Sequence, residues 1–210
     1  MTETTIVHLL RHGEVHNPRG VLYGRLPDFH LSEDGHLMAK AAAGWFRGRD
    51  VLALYTSPLE RAQETVAPLA EATGIKPVVD ERLIEAANVF EGEVFKMSRL
   101  VDPRVWPRFR NPFSPSWGEP FEVVARRMDA VTAEARTAAR GGEAVLVSHQ
   151  LPIYTARRRA EGVRLWHDPR RRECGLASVT SLVYEDGELA RVEYHEPAAH
   201  LIKGPTIPGA

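Results

Sequence analysis

The chain has 210 residues and a formal net charge of −1, with 27 Lys plus Arg against 28 Asp plus Glu, so no whole-chain field gathers nucleic acid or an anionic membrane and any anion must be captured locally. The length suits one domain over 1–210 with a continuous core, and no apolar run approaches the roughly 20 residues of a membrane span. Cys174 is the single cysteine, which excludes an internal disulfide and a thiolate-rich metal site; the amino terminus has no basic segment before its apolar stretch, and a cytoplasmic protein is expected.

From the amino terminus, Thr5 to Leu10 is predicted as a buried strand that runs straight into Arg11, His12 and Gly13. A helix is expected from Ser32, whose hydroxyl can cap it. Val51 to Tyr55 reads as the second strand, and Ser57-Pro58 as the start of the second helix, with a capping hydroxyl before a proline that needs no N–H there. Pro68 is expected to kink or end that helix early. Pro77 to Val79 is the third strand. Between about 93 and 120 no helical or strand period holds, and prolines and arginines mix with Phe95, Trp106, Phe109, Phe113 and Trp117. Disordered linkers are poor in aromatics, so an ordered excursion is expected there, part of a lid over a pocket. A third helix from Glu119, a fourth strand over Ala144 to Ser148 and a fourth helix from Pro152 follow. Asp186-Gly187 then signals a hairpin between Ala177 to Tyr184 and Leu189 to His195. This alternation of strands and helices predicts an α/β domain.

The chemistry collects at the strand ends, where open α/β sheets bind ligands. His12 closes the first strand; a neutral imidazole there offers a lone pair, and the Arg11 charge beside it disfavours ring protonation and suits a phosphoryl group. Gly13 is expected to let backbone approach the ligand. Arg61 lies in the first turn of the second helix, Glu85 stands between apolar neighbours where burial would make it an acid, and His149 ends the fourth strand before a helix amino terminus that favours anions. Each has a plainer reading: a loop start for Arg11-His12, a surface pair for Arg61 with Glu60 or Glu64, an exposed Glu85, a core His149. Together the plain readings require four coincidences.

Those segments, "LLRHGE" at Leu9 to Glu14, "TSPLERAQETV" at Thr56 to Val66 and "VSH" at Val147 to His149, with "LSEDG" at Leu31 to Gly35, "RLIE" at Arg82 to Glu85 and "PAAHL" at Pro197 to Leu201, resemble the histidine phosphatase superfamily over nearly the whole chain. The resemblance implies a phosphoglycerate mutase-like, three-layer α/β/α sandwich with a mostly parallel central sheet and helices on both faces. It assigns His12 as the phosphorylated nucleophile, Arg11, Arg61 and His149 as the phosphate pocket and Glu85 as proton donor. The activity implied is a metal-independent phosphomonoesterase acting on a small phosphorylated metabolite, with no cofactor and no metal ligands. Phosphoglycerate mutase-type phosphotransfer and a non-catalytic phosphate-binding regulator stay open as alternatives. A second copy of the chain is the protein partner left open.

The chain departs from the family pattern at three points. Asn17 falls five residues after His12 instead of six, and is expected at the phosphate; Gln150 replaces a glycine after His149, and its amide is expected in the pocket; Val89 replaces a glycine after Glu85, so the acid loop is expected to take its own path. His16, Tyr23 and Arg25 are candidates for the non-reacting part of the substrate. His8, His12 and His16 recur every four residues, but on a strand they would lie too far apart for one metal. The arginine runs 157–159 and 170–172 read as solvated faces, with one arginine in reach of an acidic substrate.

Overall fold

A computed structural model describes residues 3–94 and 118–202. Six strands form one mixed, mostly parallel sheet: β1 (Thr4–Arg11), β2 (Val51–Thr56), β3 (Val78–Val79), β4 (Glu143–Ser148), β5 (Val179–Glu185) and β6 (Glu188–His195), in the order β3-β2-β4-β1-β5-β6. The first four strands in sequence pair parallel; β5 turns antiparallel beside β1 and leads into β6 through the Asp186-Gly187 turn, where both residues have positive φ, 50° and 87°.

Helices cover both faces. Alternate residues of the central strands split between two cores: Val7, Leu9, Ala144 and Leu146 pack against α3 (Phe121–Ala138) and α4 (Gln150–Ala160), while Leu10, Val145 and Val147 pack against α1 (Glu33–Trp45) and α2 (Glu60–Thr73). A near-continuous apolar run is what a strand covered on both faces requires. The result is the expected three-layer α/β/α sandwich.

Several boundaries differ from the sequence expectation. Ser32 does cap α1, accepting from Gly35 N at 3.0 Å. Ser57 does not head α2, which begins three residues later at Glu60; its hydroxyl lies in the loop and reaches His149 instead. Pro68 sits inside α2, and the helix continues to Thr73 before Gly74, at φ 72°, ends it with its N–H on Ala70 O. Burial of Val66 and Leu69 on either side of Pro68 outweighs the hydrogen bond it cannot donate. α3 starts at Phe121, and α4 starts at Gln150, two residues before Pro152, which tolerates the first turn because N–H groups there have no helical partner. The aromatic excursion lies outside the described residues except at its two ends, where Val94 bridges Val21 and Gly118 bridges Asn88. Among the described residues no helix is long and apolar enough to cross a membrane.

Candidate active site

Parallel pairing brings the carboxyl ends of β1, β2 and β4 to one edge of the sheet. Arg11 pairs with Ser148 and Thr56 with Val147, so the next residue of each strand, His12, His149 and Ser57, emerges at the same place. The His12 and His149 rings are 5.1 Å apart between centroids, and both are buried, 2% and 0% exposed.

Each imidazole is held in one orientation. His12 Nδ1 is 2.8 Å from Gly13 O, an acceptor, so Nδ1 carries the proton and Nε2 the lone pair. Burial, then the charges of Arg61 and Arg11, hold the His12 pKa well below 6.5, so the ring is neutral at pH 7. His149 Nε2 meets Ser57 Oγ at 2.8 Å, and Leu59 N donates to the same hydroxyl at 3.4 Å. When the Ser57 hydroxyl donates to Nε2, the proton of His149 sits on Nδ1. Burial and the same arginines lower the His149 pKa well below 6.5 as well.

Arg11 Nη1 donates to Cys174 O at 2.7 Å, and Arg61 Nη2 to Gly24 O at 2.6 Å. The Tyr23 ring lies under the Arg61 guanidinium, 4.7 Å from centroid to carbon, and 6.4 Å from the His12 ring. Arg61 is 0% exposed, yet among the described residues its Nε and Nη1, like His149 Nδ1, have no hydrogen-bond partner. A buried polar group without a partner costs about 1–3 kcal/mol, and a charged one more. Two guanidinium donors and the His149 Nδ1, beside one neutral imidazole, form a polar nest that can meet an oxyanion.

Glu85 follows a 3-10 turn, Glu81–Leu83, and packs beside this nest. Burial raises its pKa above 4.5; the Ala86 N–H on Oε1 at 2.8 Å and the charges of Arg61, Arg172 and Arg11 pull the other way. The loop that carries it is pinned on both sides of Glu85. Arg127 donates to Arg82 O at 2.5 Å, Arg25 Nε to Glu85 O at 2.6 Å, and Glu119 N to Ala87 O at 3.0 Å. The Glu119 carboxylate joins the two arginines, at 2.8 Å from Arg25 and 3.2 Å from Arg127.

Beside Glu85 opens a cavity of about 490 Å³, whose walls include Gln150, Phe121, Trp166, His167 and Arg172. Gln150 is one of the residues lining it. The other expected ligand residues sit elsewhere. Asn17 exchanges two hydrogen bonds with Val21, at 2.8 and 3.0 Å, which close its own loop and leave one amide N–H uncommitted. His16 is exposed; Tyr23 supports Arg61; Arg25 holds the acid loop; none of the three lines the cavity. Gly13 packs against Gly35: a Cβ on it would come within 2.6 Å of Gly35 O. His8 is taken by Ser181 and Glu143, 2.8 and 3.0 Å away.

Sequence reasoning had no signal for the Cys174 carbonyl, which is backbone, or for the pairing of Ser57 with His149, since the serine reads as a helix cap. Arg172 was visible only as one of three consecutive arginines, and His167 carried no signal at all.

Residues 7–196 match the family profile of the histidine phosphatase superfamily (branch 1). An uncharacterised Mycobacterium tuberculosis protein, Rv0525, is 53% identical over 95% of this chain and 100% of its own. Among solved structures, Bacillus stearothermophilus YhfR superposes with TM-score 0.77 at 25% identity, over 94% of this chain and 100% of its own. The mycobacterial glucosyl-3-phosphoglycerate phosphatase Rv2419c does so with TM-score 0.71 at 27% identity, over 91% of this chain and 96% of its own.

Proposed function

The chain belongs to the histidine phosphatase superfamily, branch 1, with its phosphoglycerate mutase-like fold, and from that premise we propose that it is a phosphomonoesterase that hydrolyses a small phosphorylated metabolite through a phosphohistidine on His12. One observation carries the reading: a buried neutral His12 with its lone pair on Nε2, beside the unpartnered Arg61 Nε, Arg61 Nη1 and His149 Nδ1.

His12 Nε2 attacks phosphorus as the bond to the ester oxygen breaks on the far side. Arg11, Arg61 and His149 meet the charge on the equatorial oxygens with donors already in position. Glu85 delivers its proton to the leaving alkoxide and, as carboxylate, takes one from the water that attacks phosphohistidine; the N–P bond breaks and inorganic phosphate leaves.

The test is a panel of phosphate monoesters assayed without added metal, with His12→Ala as control. Phosphate release that falls by at least 10³-fold in the control supports the reading, an order expected for loss of a covalent nucleophile. Isomerisation of 3-phosphoglycerate without release would replace it with a mutase, and tight phosphate binding without turnover with a regulator.

A further inference from the structure

The cavity beside Glu85, whose lining also includes Glu119 and Asp168, holds a guanidinium that makes no direct ion pair among the described residues. Among the described residues Arg172 has no ion-pair partner; its Nε donates to His167 Nε2 at 2.8 Å and its Nη1 approaches Gln150 Oε1 at 3.5 Å, both neutral acceptors. Nη2 makes no hydrogen bond among those residues. Burial lowers the Arg172 pKa and Arg11 adds to this, while Glu85, Cys174 and Tyr154 act in the opposite direction. A guanidinium kept half-buried on two neutral partners is costly unless an anion arrives to meet it.

Its partner is also fixed. His167 Nδ1 donates to Leu165 O at 2.7 Å, which leaves the Nε2 lone pair for Arg172, and burial pushes the ring down to about 4, so it stays an acceptor at neutral pH. Tyr154 and Phe121 pack on the imidazole at 4.7 and 5.3 Å between centroids. A polar chain links the two ends of the site: Cys174 O accepts from Arg11 Nη1 at 2.7 Å and from Gln150 Nε2 at 3.5 Å, and Gln150 Oε1 faces Arg172.

We propose that Arg172 is a specificity-determining residue that takes a second anionic group, a carboxylate or a phosphate, on the non-reacting part of the substrate, and that His167 positions it. This rests on the phosphomonoesterase reading and adds the class of substrate: a small monoester that carries a second anion at the far end. Phe121 and Trp166 supply the apolar wall between.

Two matched pairs test it. 3-Phosphoglycerate against glycerol 3-phosphate isolates a carboxylate, and fructose 1,6-bisphosphate against fructose 6-phosphate isolates a phosphate. The wild-type protein is expected to favour the doubly anionic member of one pair at least tenfold in kcat/KM, and the pair identifies the anion. Arg172→Gln should bring that ratio close to one through KM, Arg172→Lys should keep part of it, and His167→Leu should lower it through KM without changing the pH profile. Equal losses on both members, the result if Arg172 only tunes Glu85 or supports the fold, would overturn the proposal, as would a wild-type ratio near one in both pairs. If no monoester is hydrolysed, the same four compounds are titrated calorimetrically into the wild type and Arg172→Gln. A tenfold binding preference that depends on Arg172 keeps the anchor and removes the hydrolase reading; no preference removes the anchor.

Discussion

Burial acts on His12 and Glu85 in opposite senses, and this divides the proton work between them. It lowers the histidine pKa below 6.5, so the nucleophile is free down to acid pH; it raises the glutamate above 4.5, so the acid keeps its proton further up the scale. Activity should therefore rise as pH increases through the depressed His12 value and fall as it increases through the elevated Glu85 value. Glu85→Gln should abolish the falling limb and cut kcat on an alkyl phosphate by about 10²–10⁴-fold, the usual worth of general acid catalysis. On p-nitrophenyl phosphate, whose leaving group needs little help, the loss should be smaller. An unchanged falling limb in the variant would show that another group supplies the proton. The position of His12 was legible because strand patterning locates strand ends and a histidine there is scarce in a core; Glu85 lies beyond a 3-10 turn after β3, where no strand pattern points to it. The role of Asn17 was not legible, since its amide serves equally well as a ligand or a loop closure and only coordinates reveal Val21 as its partner.

At the scale of elements, two contacts decide whether the site is assembled. The loop after β1 presses against the first turn of α1, where a Cβ on Gly35 would collide with Glu14 O and one on Gly13 would come within 2.6 Å of Gly35 O. Gly35→Ala must push that loop back, and with it the Gly13 carbonyl that orients His12. A loss of about 1–3 kcal/mol in denaturant unfolding is expected from such overpacking, together with a drop in kcat; a variant as stable and active as the parent would show the loop to be slack. The second contact is the clamp of Arg25, Glu119 and Arg127 on the acid loop. Arg25→Gln removes the bond to Glu85 O and should lower kcat on an alkyl phosphate about tenfold, roughly 1.4 kcal/mol of transition-state stabilisation, and less on p-nitrophenyl phosphate. Equal effects on both substrates would mean that Arg25 does not act through the acid. Strand positions were legible because apolar runs covered on both faces have few alternatives. Helix starts were less so: Ser57-Pro58 satisfies every local rule for a cap, but the tertiary partner of the serine, His149, lies 92 residues away.

For the whole molecule, the parallel strands concentrate cationic and donor groups at one sheet edge before any ligand is bound. Arg61 illustrates the consequence: it is fully buried, two of its nitrogens have no partner among the described residues, and burial outweighs Tyr23 and Glu85 to lower its pKa. A fold that holds such a group empty gives up stability that an oxyanion restores. Inorganic phosphate or orthovanadate at about 100 times its Kd should stabilise the protein by roughly 2.7 kcal/mol, seen as a rise in Tm. Arg61→Met fills similar volume without the charge. It forfeits the bond to Gly24 O and the contact with Tyr23, but it also removes a desolvated cation. The expected outcome is an empty protein at least as stable as the parent, with no response to phosphate and no turnover. A Tm well below the parent's would mean that Arg61 supports the fold in its own right and that the open nitrogens are not held in readiness for a ligand.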